Sequence, residues 1–175
     1  MSAIFRFITV LALALAAASA WAASYNDPVS KIHFTVPPGW KVRPATMNGA
    51  RMLRVIPPKA DQRERAAIEV QIGLRKLARK ETLAKLAAQL RSEDGDREAA
   101  NFVRLNQKTG RLVTEYRDGR FVSNRLWIVR HNLHVMQLVD KSRLLEARCT
   151  ANASEFRTYR RQMEAICLSV AVGKK

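Results

Sequence analysis

His131 and His134 stand three residues apart and are the side chains best suited to proton transfer or metal binding. Neutral imidazole ligates zinc or copper and can act as a base near neutral pH. His131-Asn132 has turn-forming composition, which predicts a hairpin with the two rings facing one another. A structural zinc site takes about four ligands, and neither His33 nor the acidic residues supply a second half at recognisable spacing. For either histidine to serve as a base, a nucleophile or carboxylate must lie within hydrogen-bond reach. No serine lies in a Gly-x-Ser-x-Gly elbow, and neither cysteine has a histidine close in sequence. Glu93, Asp94 and Asp96 fall where a helix ends, a setting that favours solvation. No glycine cluster is spaced to cradle phosphate. No catalytic residue, metal ligand or cofactor is assigned on this basis.

Charge is the stronger signal. The chain carries 31 Lys+Arg against 15 Asp+Glu, a net charge of +16, which selects anionic partners and says nothing about fold. Arg75, Lys76, Arg79, Lys80 and Lys85 lead into one predicted helix, and Arg157, Arg160 and Arg161 decorate a second. Guanidinium groups chelate carboxylate or phosphate oxygens in pairs, so these eight form the candidate anion-binding set. A solvated helix face is the plain alternative.

The first 22 residues read as an export signal. Arg6 precedes an apolar stretch from Phe7 to Ala18, and Ala20-Trp21-Ala22 offers a small-x-small cleavage pattern. That stretch is too short to span a bilayer, so the mature chain is expected in a bacterial periplasm without a transmembrane segment. Nucleic acid is not an expected partner there; lipid headgroups, anionic polymers and acidic proteins are. An oxidising compartment favours pairing Cys149 with Cys167. A helix from 154 to 167 is ~20 Å long, so a bridge requires the preceding segment to fold back along it. Two buried thiols are the alternative.

Residues 23–30 show no periodicity and read as an arm before a single domain over 31–173. Ile32 to Val36 alternates as a half-buried strand and stops at Pro37-Pro38-Gly39, where a type II turn needs positive φ at the glycine. Met52 to Ile56 reads as a short strand, 59–65 as a mobile loop, and Ile68, Val70 and Ile72 mark another strand. Leu83, Leu86, Ala87 and Leu90 predict an amphipathic helix over about 79–92. An antiparallel meander follows, with turns at Lys108-Thr109-Gly110, Asp118-Gly119 and His131-Asn132. Trp40, Trp127 and Tyr116 are read as core or sheet-face residues. Residues 143–150 read as a strand or a connection. Ser154 is placed as the cap of a closing helix with Phe156, Tyr159, Met163, Ile166 and Val170 on one stripe. The order predicts an α+β fold: an antiparallel sheet of about six or seven strands flanked by two main helices.

The run Ile32-His33-Phe34-Thr35-Val36-Pro37-Pro38-Gly39-Trp40, the helix after the third strand, and the closing-helix set Phe156, Tyr159, Met163, Ile166 and Ser169 resemble the PsbP-like superfamily of αβα sandwiches. That superfamily includes the bacterial envelope proteins called DcrB-like. The resemblance implies an accessory or binding protein and supplies no catalytic residue. The functional expectation is a non-catalytic exported protein that recognises an acidic protein or anionic envelope component. An immunity protein against an antibacterial effector and an envelope hydrolase using His131 or His134 are the alternatives.

Overall fold

The computed structural model describes residues 22–122 and 126–173. The signal-peptide reading of residues 1–22 lies, apart from Ala22, outside the described residues. Ten strands and three helices are described. They are β1 (Ala23–Asn26), β2 (Ile32–Val36), β3 (Lys41–Met47), β4 (Ala50–Ile56), α1 (Ala60–Arg63), β5 (Glu69–Lys76), α2 (Leu83–Leu90), β6 (Phe102–Asn106), β7 (Arg111–Val122), β8 (Leu126–Leu138), β9 (Arg143–Asn152), α3 (Phe156–Cys167) and β10 (Ala171–Val172). The seven-stranded sheet has the order β3-β4-β5-β9-β8-β7-β6, and every neighbouring pair is antiparallel. A smaller sheet of order β1-β2-β10 packs with α3 on one face of it, and α2 packs on the other.

Side-chain alternation builds both layers. Val70 and Ile72 of β5, Leu133 and Val135 of β8, and Leu145, Ala147 and Cys149 of β9 point to the α3 side. There they meet Ile32, Phe34, Met163 and Ile166 in a buried apolar core. Leu112, Tyr116, Met136 and Leu144 point the other way, under Leu83, Ala87 and Leu90 of α2. The Cys149 and Cys167 sulphurs are bonded, with Cα atoms 6.3 Å apart. β9 runs back along α3, which brings the end of the helix over the middle of the strand. Ser169 then donates to the Ala165 and Ile166 carbonyls and accepts from the Thr35 amide at 2.8 Å, fastening the helix end to β2.

Several local expectations are corrected. Residues 23–26 are strand β1, with Tyr25 opposite Phe34, so the domain extends through the expected arm. The 59–65 segment is not a free loop: it holds α1, whose Gln62 is buried. α2 is shorter than 79–92 because Lys80 sits at φ 66° and Thr82 caps the helix through the Lys85 amide. Ser154 does not cap α3; Glu155 occupies the cap position, and a main-chain bond from its amide to the Asn152 carbonyl makes the entry turn. Neither Asp118-Gly119 nor His131-Asn132 turns the chain, because β7 and β8 run through them in continuous register. The 143–150 segment is a strand at the centre of the large sheet. Trp40 and Tyr116 are buried, whereas Trp127 is 42% exposed near the far end of the β7–β8 ribbon. The Pro37-Pro38-Gly39 turn forms as expected, with Gly39 at φ 78° and the Trp40 amide bonded to the Pro37 carbonyl.

Candidate functional site

The α2 face of the large sheet is covered only in part. α2 lies over β6 and β7 and its core reaches Met136 of β8 and Leu144 near the start of β9, which leaves β3, β4, β5 and the rest of β9 without a helix above them. The strand register lays two rungs across this face. One runs Arg43, Arg54, Gln71, Arg148, His134 and Thr114, each directly opposite the next. The neighbouring rung runs Ala45, Met52, Gly73, Glu146, Met136 and Leu112. Both rungs are apolar or buried beneath α2; toward β3 the first becomes polar and exposed at Arg54 and Arg43, whereas the second stays apolar and half-buried at Gly73, Met52 and Ala45.

At the boundary sits a connected polar group. Glu146 Oε2 accepts from Arg75 Nε at 3.0 Å, and its Oε1 lies 2.7 Å from His134 Nε2. Arg75 also holds Glu81 through two bonds of 2.8 and 2.9 Å. Arg148 reaches Glu146 at only 4.0 Å. The His134 side chain is 6% exposed, and burial pushes its pKa down against the pull of Glu146, which keeps the ring neutral at pH 7. Although the Glu146 contact is short, neither ring nitrogen has a well-aligned hydrogen bond. Burial opposes ionisation of Glu146, but His134, Arg75 and Arg148 together hold its carboxyl well below the ordinary range. The group is therefore an anchored carboxylate beside a neutral imidazole.

A recess reaching His134 is lined by α2 and by Tyr116, Arg97 and Arg148, and by no serine, threonine or cysteine. Beside it, over Gly73, a 300 Å³ hollow is walled by Met47, Met52, Arg75, Arg148 and Glu146. Arg43 and Arg54 have no acidic partner within 4.0 Å among the described residues. Like charges directly opposite one another on a sheet are destabilising, so this pairing is not explained by stability.

The sequence-derived cations do not form one surface. Arg75 is committed to Glu81 and Glu146, and Arg160 to Glu115 and Glu164 at 2.6 and 2.7 Å. Lys76, Arg79, Lys80 and Lys85 are exposed at the entry to α2, whereas Arg157 and Arg161 are exposed on α3, across the sheet. The two histidines also part company. His131 faces the α3 side, stacked on Phe156 at a centroid distance of 3.9 Å, while His134 faces α2. One strand position alternates with the next, and the odd spacing of 131 and 134 puts them on opposite faces. Among the described residues no three His, Cys, Asp or Glu side chains are grouped to hold a metal ion, and no helix is long and apolar enough to cross a membrane. The missed residues are Arg43, Arg54 and Arg148, which are isolated in sequence and become neighbours only through strand register.

No protein-family model matches the chain, and no curated protein is similar to it in sequence. Solved structures do match. The solution structure of cyanobacterial PsbP (CyanoP) from Synechocystis sp. PCC 6803 superposes with a TM-score of 0.54 at 13% identity, over 90% of this chain and 96% of that one. The Ran-binding protein Mog1p of Saccharomyces cerevisiae gives 0.56 at 10% identity, over 88% and 96%. LpqN of Mycobacterium tuberculosis, involved in cell envelope biogenesis, gives 0.50 at 15% identity, over 88% and 91%. The fold is the PsbP-like αβα sandwich.

Proposed function

We propose that this chain is an exported, non-catalytic accessory protein that recognises an acidic protein partner through the uncovered half of its large sheet. One observation carries the proposal: Arg43 and Arg54 face each other across two strands without an acidic neighbour, with Arg148 further along the same rung. An unpaired guanidinium pair costs stability in the isolated protein and gains bidentate partners when carboxylates arrive. The leader-like first 22 residues and the Cys149–Cys167 bridge support an oxidising, extracytoplasmic setting. The fold supports a binding role by analogy: one structural neighbour is a Ran-binding protein and another is involved in cell envelope biogenesis. Blocking an acidic antibacterial effector, as an immunity protein does, is one form of the same activity.

The test is binding of poly-glutamate and of anionic-lipid vesicles to the mature protein at low and high salt. Poly-glutamate is expected to bind with an affinity that falls as salt rises, and R43E/R54E to weaken it about tenfold or more. Salt-independent binding, or an undiminished double variant, rejects the face. Preference for vesicles over poly-glutamate assigns the face to lipid instead.

The 2.7 Å contact between His134 and Glu146 favours a second reading, an envelope hydrolase with His134 as base. Burial of the imidazole and the absence of a serine, threonine or cysteine nucleophile from its recess weigh against it. Ester hydrolysis by the wild type that disappears in H134A is the result that would revive it.

A further inference from the structure

Glycine within a strand weakens it, because the backbone loses more freedom on folding and no side chain packs. The glycines of this chain mostly have a visible structural reason. Gly39, Gly49, Gly95 and Gly110 have positive φ between 58° and 78°. A Cβ on Gly119 collides with the Trp127 ring. Gly73 has neither excuse. Its backbone is ordinary strand, and a Cβ there meets the Arg51 carbonyl oxygen and the Met52 Cβ at 3.4 Å, which is normal contact. The residue keeps a hollow open on the exposed sheet face at a cost that local conformation does not require.

The hollow has the chemistry of an anchor pocket. Its 300 Å³ suits one large side chain. Met47 and Met52 wall it on one side, and unbranched thioether side chains adapt to irregular apolar groups. Arg148 stands on the opposite wall and shares its rung with Arg54 and Arg43. The carboxylate in the wall, Glu146, is already engaged by Arg75 and His134 and does not repel an incoming anion as a bare acid does. Charged rims set encounter rate and register, whereas a buried apolar anchor sets residence time.

We infer that the hollow over Gly73 is the specificity pocket of the cationic face and receives an apolar side chain from a partner segment whose flanking residues are acidic. This rests on the acidic-partner reading and narrows it: acidity alone gives weak attachment, and an embedded phenylalanine or leucine gives selectivity.

Two labelled peptides separate the claims. Each is a run of glutamate and aspartate; one carries a central phenylalanine and the other a central glycine in its place. Fluorescence anisotropy with the mature protein is expected to show the phenylalanine peptide binding about tenfold more tightly. G73V fills the hollow and is expected to erase that difference while leaving the glycine peptide's affinity unchanged. R43E/R54E is expected to weaken both peptides alike. Circular dichroism and denaturant midpoints verify that each variant is folded, and G73A serves as a smaller filling change if G73V is not. Equal affinity of the two peptides for the wild type, or a preference that survives G73V and G73A, overturns the pocket and leaves the cationic face standing. Failure of both peptides to bind overturns the pocket together with the acidic-partner reading.

Discussion

The same strands build both faces of the large sheet, yet one face is dry across its centre and the other changes character halfway. On the α3 side, Leu53, Val55, Val70, Ile72, Leu145, Ala147, Leu133 and Val135 are all buried, because α3 and the small sheet together roof four adjacent strands and part of a fifth. On the α2 side the roof is one eight-residue helix, about 12 Å long, and neighbouring strands are ~4.8 Å apart. Such a helix covers two or three strands of seven. Residues facing the same way therefore read Leu112, Met136 and Leu144 under the helix and Arg54, Gln71 and Arg148 beyond it. Where no helix covers the sheet, the sequence places the arginine rung beside the apolar rung of Met52 and Gly73, and the two arginines that oppose each other are the clearest departure from stability.

The comparison is most easily broken at the α3 face. Met163 is 0% exposed, and M163A is expected to cost about 2–5 kcal/mol in urea denaturation. A loss below about 1 kcal/mol means that this face is not the close-packed one. An intermediate effect belongs to the boundary, where His134 faces Glu146, Arg148 and Arg75. Burial lowers the folded-state pKa of His134, so the unfolded chain takes up this proton at higher pH and stability falls as pH drops below about 6.5. Burial alone raises the Glu146 pKa, but its cationic neighbours reverse that and hold it down. Its contribution is therefore present above about 4.5 and lost as pH falls through the folded value. One proton is worth about 1.4 kcal/mol per pH unit, and H134Q is expected to flatten the stability profile below about pH 6.5. An unchanged slope assigns the acid sensitivity elsewhere. The smallest effect is expected on the bare half. R54A changes stability by no more than about 0.5 kcal/mol and relieves the repulsion from Arg43. A loss beyond about 1 kcal/mol gives the arginine pair a structural purpose and undercuts its assignment to a partner.

Much of the scaffold was legible because its signals are local. The alternation of Ile32 to Val36, the Pro37-Pro38-Gly39 turn and the Leu83 to Leu90 stripe each need only a few consecutive residues. Asn48-Gly49 is an equally local hairpin signal that the sequence reading passed over; both residues have positive φ and join β3 to β4. Gly119 and Asn132 misled because their turn propensity is overridden by the long β7–β8 ladder, in which Gly119 makes room for Trp127 and Asn132 accepts from Thr150 at 2.7 Å. The candidate site was hardly legible at all. His134 and Glu146 are separated by a strand turn, and Arg43, Arg54 and Arg148 belong to three strands that the chain visits far apart.

Composition and periodicity by themselves determined a basic chain with one α+β core and a cysteine pair available for bridging, because hydrophobic spacing and net charge are properties of the residues in order. Tertiary structure alone decided which arginines are neutralised, which stand exposed, and that a strand glycine opens a hollow between them. Those outcomes depend on how far a short helix reaches across a wide sheet and on register between strands distant in sequence, neither of which any local stretch of residues encodes.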